Sequence, residues 1–229
     1  MEKGHKLKDH VDLISETVRK TVFSYIPAGP IFDSFWSYRS NLKQKRVLEF
    51  DASVKEALEE ISERELHSAN FETEDFVDLM ELVYIKVMST RSAYKLERFR
   101  NILVNQIVEP NQENNMSLKF VHLVEQLDDV QIIMLHDFLN HEGKEIPSLG
   151  ALYSDGEDSP NQIHQFISIK VNRPVTLSEL EFYLNELLSI GLIHNKSFIF
   201  TALGGSSTVN NYQISPIGKS FLEFIKLYC

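Results

Sequence analysis

Apolar residues in the first half of the chain recur every three or four positions, which is the spacing of helices that bury one face. The first such pattern covers residues 7–25, and Pro27 ends it because proline cannot donate the helical hydrogen bond. Later patterns cover residues 47–61 and 76–87, and Thr73 is predicted to be the N-cap of the second of these. The N-terminal half is therefore predicted to be a helical bundle.

A polar segment at residues 110–115 follows the next helical pattern, which covers residues 96–107. Pro110 must lie beyond the end of that helix, because proline interrupts the hydrogen-bond ladder. The polar segment is predicted to separate a helical domain, residues 1–112, from a second domain, residues 113–229.

Capping signals predict the helices of the second half. Residues 128–131, Asp-Asp-Val-Gln, have the form of a capping box. Thr176 and Glu179 form another, and the helix that they open is predicted to end at Gly191, since glycine commonly follows a helix end. Between these helices, residues 142–160 contain glycines, a proline and an acidic run, so they are predicted to be a loop insertion.

The pattern then changes from helical to alternating, which is typical of strands. Residues 192–202 and 208–215 are predicted to pair through a turn near Gly204. Ser215 and Pro216 predict the N-cap and the first position of a last helix. We therefore predict a mostly α protein, with an N-terminal helical bundle and a C-terminal winged helix, which is α with a small β-hairpin wing.

Two strings of residues in this part are similar to those of winged-helix proteins. Residues 187–193 read Leu-Leu-Ser-Ile-Gly-Leu-Ile, and residues 212–222 read Tyr-Gln-Ile-Ser-Pro-Ile-Gly-Lys-Ser-Phe-Leu. In many winged-helix proteins the second strand ends in a similar Tyr-x-Leu-Thr-Pro-x-Gly-x-x-Phe-Leu string. This resemblance covers about the last hundred residues and implies a fold rather than a function.

The whole chain resembles the bacterial Abi-alpha-like domains of unknown function, a family named for suspected roles in abortive infection by phage. The features that carry the resemblance are the helix at residues 91–105, the acidic start at residues 72–76, the break at Pro110 and the winged-helix end. The resemblance implies a setting in antiviral defence and transfers no catalytic residue. The aromatic residues near position 35 depart from the family.

The charge of the chain bears on its partners. There are 23 Lys and Arg residues against 33 Asp and Glu residues, a formal net charge of −10. Phosphate contacts dominate affinity for nucleic acid, so an acidic protein needs a local basic face to bind DNA. The predicted recognition helix, residues 177–190, has no basic residue at its predicted exposed positions, which are Glu179, Glu181, Asn185, Glu186 and Ser189. A DNA-binding transcriptional regulator of winged-helix type is therefore an alternative that the charge disfavours.

No motif predicts catalysis, a cofactor or a metal site. The chain has no Gly-x-Ser-x-Gly, no phosphate-binding loop and no pair of histidines four residues apart. The one cysteine is Cys229, and the N-terminus shows no apolar leader pattern, which predicts a cytoplasmic protein. We therefore predict a protein that is not an enzyme and that holds no cofactor and no metal.

The most distinctive part of the chain is residues 25–46, the aromatic-basic stretch. It combines two prolines around a glycine, the one tryptophan and the one basic cluster in an acidic chain. The candidate partner-binding residues are Phe32, Phe35, Trp36, Tyr38, Arg39, Lys43, Lys45 and Arg46. Trp, Tyr and Arg often anchor protein interfaces, so the leading hypothesis is a protein partner or a homo-oligomer, used by a non-enzymatic interaction or accessory protein.

Two other interpretations of the aromatic-basic stretch are open. Aromatic residues beside basic ones can bind an anionic membrane surface, so residues 31–46 could belong to a peripheral membrane effector. Alternatively, Phe32, Phe35 and Trp36 are buried against the first helix, and the stretch is only a joint between two helices.

Overall fold

The structure is a computed structural model that describes residues 16, 33–60, 73–108, 114–140, 167–195, 198–202, 205–209 and 212–226. These residues are mostly helical, with paired antiparallel strands near the C-terminus, which confirms the predicted fold class. The helices are α1 (Asp33–Glu60), α2 (Glu74–Ser89), α3 (Ala93–Val108), α4 (Asn114–Gln126), α5 (Asp129–Asn140), α6 (Leu177–Ser189) and α7 (Pro216–Phe224). The strands are β1 (Ile193–Asn195), β2 (Phe198–Ala202), β3 (Gly205–Val209) and β4 (Tyr212–Ile214).

The chain forms two compact units. The N-terminal unit contains Met1–Gln126 and Phe224–Cys229, and the C-terminal unit contains Leu127–Glu223. This division differs from the predicted boundary between residues 112 and 113, because α4 packs against α2 and α3 within the N-terminal unit. The predicted helix at residues 7–25, apart from helical Glu16, and the predicted insertion at 142–160 lie outside the described residues.

Helix α1 is longer than the sequence pattern indicates. The pattern predicted a helix over residues 47–61, whereas the described chain is helical without a break from Asp33 to Glu60. The segment contains neither proline nor glycine, so nothing in the backbone interrupts the ladder. Val47, Phe50 and Val54 are buried at helical spacing and form part of the core of this unit.

Helix α2 is held at its start and along its buried face as predicted. The Thr73 side chain accepts a hydrogen bond from the Phe76 backbone N–H, so Thr73 is the N-cap. Buried Tyr84 packs edge-to-face on Phe50, with 5.6 Å between ring centroids. The Tyr84 hydroxyl donates to Asp51 Oδ1 at 2.8 Å, which joins α2 to α1.

Two buried asparagines of α3, Asn101 and Asn105, form what we call the asparagine clasp. Asn101 Nδ2 donates to the Ile225 carbonyl oxygen at 2.8 Å. Asn105 Nδ2 donates to the carbonyl oxygens of Phe224 at 2.7 Å and Lys226 at 2.8 Å. The last carbonyls of a helix have no partner within the helix, so the clasp satisfies the C-terminal end of α7 inside the N-terminal unit.

The wing of the C-terminal unit contains two antiparallel pairs of strands. β1 pairs with β4 from Ile193↔Ile214 to Asn195↔Tyr212, and β2 pairs with β3 from Phe198↔Val209 to Ala202↔Gly205. Strand β3 begins at Gly205, whereas the pattern predicted a start at residue 208. Residues 205–207 are small and polar, so their sequence alone does not predict a strand. They are nevertheless part of β3, because they pair with β2.

The C-terminal unit keeps its predicted caps. Thr176 and Glu179 make both hydrogen bonds of the capping box at the start of α6. Gly191 lies beyond the end of α6 with a φ of 74°, a conformation that favours glycine. Ser215 Oγ accepts from the Gly218 backbone N–H at 3.0 Å and donates to the Gly191 carbonyl at 2.6 Å, so it caps α7 and ties the start of α7 to the end of α6.

Candidate protein-interaction surface

One side of α6 faces solvent, and we call it the outer stripe of α6. Its exposed residues follow helical spacing and are Leu177, Ser178, Glu181, Phe182, Asn185 and Ser189. Phe182 is 58% exposed, which is unusual for an aromatic side chain in the middle of a helix. The opposite side of α6 is buried through Leu180, Tyr183, Leu184 and Leu187. The stripe therefore presents an apolar ring on a helix whose other face is held in the core.

A polar network holds α6 to α5 and to the preceding loop. The Tyr183 hydroxyl donates to Asp128 Oδ2 at 3.0 Å, and Arg173 Nη2 donates to the Tyr183 oxygen at 3.3 Å. Arg173 also pairs with Glu179 at 2.7 Å between Nη1 and Oε1. These bonds join Phe182's neighbours on α6 to two other segments of the unit, so the outer stripe lies on a fixed helix.

A second connection uses the predicted capping residues of α5. The Gln131 side chain accepts from the Asp128 backbone N–H at 2.8 Å, which is one half of the predicted capping box. Gln131 Nε2 donates to Glu186 Oε2 at 3.0 Å. Glu179 and Glu186, both predicted to be exposed, are instead partly buried and hydrogen-bonded.

The network shifts the pKa values of its members. The hydrogen bond from Arg173, followed by that from the Thr176 backbone, lowers the pKa of Glu179. The same contact with Glu179 raises the pKa of Arg173. Burial first, and then the hydrogen bond to Asp128, raises the pKa of the Tyr183 hydroxyl. Each shift favours the protonation state that the bonds require at neutral pH.

Replacing Glu179 by glutamine is expected to weaken the acid-side pH dependence of the free energy of unfolding. Because the folded pKa of Glu179 is lowered, its charged form stabilises the fold in full above the ordinary glutamate pKa of about 4.3. That contribution is lost as the pH falls through the lower folded value. Urea unfolding at several pH values should show the difference between wild type and Glu179→Gln shrinking as the pH falls. Glu181→Gln is the matched control, and a difference that stays constant would contradict the assignment.

The described part of the C-terminal unit is acidic around the outer stripe. Its Lys and Arg residues in the described ranges are Lys170, Arg173 and Lys219, and Arg173 is paired with Glu179. The acidic residues in the same ranges are Asp128, Asp129, Asp137, Glu179, Glu181, Glu186 and Glu223. Neither β2 nor β3 contains a charged residue. The helix and the wing strands that a winged helix would place against DNA therefore offer phosphates no cation within the described residues.

The predicted candidates of the aromatic-basic stretch lie on or beside α1. Phe32 is outside the described residues, and Phe35, Trp36, Tyr38 and Arg39 have helical backbones whose side chains are likewise outside the description. Whether those rings pack against the first helix therefore stays a prediction.

The basic members of that stretch have described side chains. Lys45 is exposed and pairs with Glu49 at 3.5 Å, and Lys43 is half-buried. Arg46 Nη1 donates to the Met88 carbonyl oxygen at 3.0 Å, so it caps the last turn of α2. The structure thus gives Arg46 a role in the packing of α1 on α2 that spacing alone did not suggest.

Phe182 was not among the candidate residues predicted from the sequence. It lies in the string Leu180-Glu181-Phe182-Tyr183-Leu184, and an apolar residue among other apolar residues is predicted to belong to the core. Helical spacing from Ser178 and Asn185 places it on the polar face, and that was the available signal.

Two further features of the described residues bear on other functions. No group of three or more His, Cys, Asp or Glu residues in those ranges could hold a metal ion. Among the described helices, none has both the length and the apolar character needed to cross a membrane.

Comparison of this chain with protein-family models, with curated proteins and with solved structures finds no match.

Proposed function

We propose that the C-terminal unit is a protein-interaction module and that the protein acts by binding rather than by catalysis. The observation that carries this proposal is the exposed ring of Phe182 on the outer stripe of α6, with no basic residue on that stripe. An aromatic side chain that is exposed in the free protein and held on a rigid helix is typical of an interface anchor.

The size of the apolar contribution supports a protein partner. Fully burying a phenylalanine side chain stabilises a complex by up to about 1.5–3 kcal/mol. Ser178 and Asn185 lie beside Phe182 at helical spacing and can hydrogen-bond at the rim of such a contact. Glu181 adds a negative charge next to the ring, so the proposed partner has an apolar pocket with a cationic rim.

The same surface argues against DNA as the partner. Glu181 occupies the exposed face that would enter a groove, and no Lys or Arg lies on the outer stripe to offset phosphate repulsion. The transcriptional regulator therefore ranks below the protein-interaction module, and DNA binding becomes an outcome of the test.

The cellular setting of the proposal rests on the sequence. The one cysteine, at position 229, fits a reducing compartment, and we propose the cytoplasm. A setting in antiviral defence rests on the resemblance to Abi-alpha-like domains alone.

Phe182→Ala is expected to weaken binding of the partner at least about tenfold, which corresponds to about 1.4 kcal/mol. Affinity purification from the native host, with quantitative mass spectrometry, identifies proteins that wild type retains and Phe182→Ala loses. Each is then purified, and its Kd is measured for both forms. Ser189→Ala, exposed on the same stripe, is the matched control.

Two results would contradict the proposal. One is a partner that binds Phe182→Ala as tightly as wild type. The other is tight binding of duplex DNA by wild type that increases in Glu181→Lys, because that response identifies the stripe as a phosphate-facing surface.

A further inference from the structure

Charge is separated along the α1–α2 pair of the N-terminal unit. Two hydrogen bonds show that the helices run antiparallel, since Asp51 of α1 meets Tyr84 of α2, and Arg46, earlier in α1, meets Met88, later in α2. The early part of α1 therefore lies beside the end of α2, and the later part of α1 lies beside the start of α2.

The first of these ends is basic. Arg91 lies two residues beyond the end of α2 and is exposed. Exposed Lys45 adjoins Arg46 and pairs with Glu49, and Lys95, in the first turn of α3, donates to the Glu125 carbonyl oxygen. Ser92 accepts from the Lys95 backbone N–H, which places that turn next to the end of α2. We call the residues Lys43, Lys45, Arg46, Arg91 and Lys95 the basic corner.

The other end is acidic. Glu56 is exposed late in α1, and Glu74 and Asp78 are exposed early in α2. We call these three residues the acidic end. These exposed residues carry negative charge, opposite to that of the basic corner, and they lie at the other end of the α1–α2 pair.

Each end also exposes an apolar residue. Tyr94 is 63% exposed and lies between Arg91 and Lys95 in the chain. Val77 is 38% exposed and is the neighbour of Asp78. Exposed ion pairs are individually weak, so an apolar contact at the centre is what several such pairs need to form a lasting interface.

We infer that the basic corner of one copy binds the acidic end of a second copy of this chain. Both complementary surfaces belong to one chain and one unit, so no other partner is required to supply the opposite charge. The net charge of −10 opposes any anionic partner beyond the corner, a second copy included, so the attraction has to come from local complementarity of the two surfaces. A second copy presents Glu56, Glu74 and Asp78 as a local acidic surface, and exposed Val77 lies beside Asp78 as exposed Tyr94 lies beside Lys95.

The contact is heterologous, because two different surfaces meet. Such contacts build a ring when the rotation closes and an open chain of copies when it does not. This inference concerns the N-terminal unit and is independent of the proposal for Phe182.

The test is a complementary charge reversal, measured by sedimentation velocity on the full chain. One variant combines Lys45→Glu with Arg91→Glu, and the other combines Glu56→Lys with Asp78→Lys. Wild type is expected to associate with rising concentration, and less in about 500 mM than in about 50 mM salt, because salt screens exposed charges. Each reversed variant alone is expected to lose association at least about tenfold. An equimolar mixture of the two is expected to regain one contact per pair of copies, because the first variant keeps its acidic end and the second keeps its basic corner.

The matched control is Lys119→Glu, an exposed reversal on α4 of the same unit, which is expected to leave association unchanged. A wild type that stays monomeric at low salt, or a mixture that does not associate, would overturn the inference. Nucleic acid that copurifies with wild type and is lost in the Lys45→Glu, Arg91→Glu variant would also overturn it and assign the corner to phosphates. Vesicles of phosphatidylserine that bind wild type and not that variant would do the same for a membrane.

Discussion

Asn105→Ala is expected to lower the free energy of unfolding of the N-terminal unit by about 2–4 kcal/mol. The side chain is 0% exposed, and its amide donates to the carbonyl oxygens of Phe224 and Lys226. Alanine removes both donors and leaves the end of α7 without partners for these carbonyls. The loss of stability from an unpaired polar group is largest where water cannot replace the lost hydrogen bond. Phe224 is buried, so its carbonyl oxygen is in such a place.

Urea unfolding followed by tryptophan fluorescence measures this effect, because Trp36, the one tryptophan, belongs to the N-terminal unit. Asn105→Asp keeps the size and removes the donor, so it is expected to cost at least as much as alanine. Asn101→Ala loses one hydrogen bond and is expected to cost less. Exposed Asn185→Ala is the control, and an Asn105→Ala protein within about 0.5 kcal/mol of wild type would show that the clasp does not stabilise the fold.

Local signals in the sequence predicted the parts of the fold that depend on neighbouring residues. Thr73, Thr176 and Ser215 cap helices through bonds to residues three positions away, and Gly191 takes the conformation that glycine favours. These features are encoded within one turn of chain, so pattern and residue type suffice to find them.

The asparagine clasp depends on distant residues and was not predicted. Asn101 and Asn105 meet carbonyls 124 and 119 positions later in the chain. In the sequence they are polar residues within a helical pattern, and such residues are predicted to lie on an exposed face. They are buried because residues 224–226 return to the N-terminal unit. The same return is one way in which the two compact units differ from the predicted domains.

The candidate surface shows the same limit. The acidity of α6 was readable from the sequence and led to the correct expectation that the exposed positions hold no basic residue. Which side of α6 meets the core depends on α5 and on the Tyr183–Asp128 hydrogen bond, 55 residues apart in the chain. Helical spacing places Phe182 beside Ser178 and Asn185, but the packing of α6 on its neighbours decides that this side of the helix is the exposed one.

Gly218→Ala is expected to destabilise the C-terminal unit by about 2–4 kcal/mol, the largest single effect that we expect there. A Cβ at this position would overlap the Leu192 carbonyl oxygen and would lie 2.9 Å from Ile214 Cγ1. The carbonyl cannot withdraw, because it accepts the hydrogen bond from the Ser215 backbone N–H at 2.9 Å, at the junction of the wing and α7. An added methyl group therefore has to separate α7 from the strands that it follows.

Gly191→Ala separates this packing effect from backbone strain. Gly191 has a positive φ of 74°, but a Cβ there would have no heavy atom within 4 Å, so alanine is expected to cost only about 1–2 kcal/mol of unfolding free energy. Hydrogen exchange of peptides covering residues 212–223, together with urea unfolding followed by circular dichroism, measures both variants. Gly218→Ala should expose the backbone amides of α7 more than Gly191→Ala does. Equal costs in the two variants would show that the close approach of α7 to Leu192 is not what requires glycine at position 218, and that the unit accommodates the added methyl group by shifting α7.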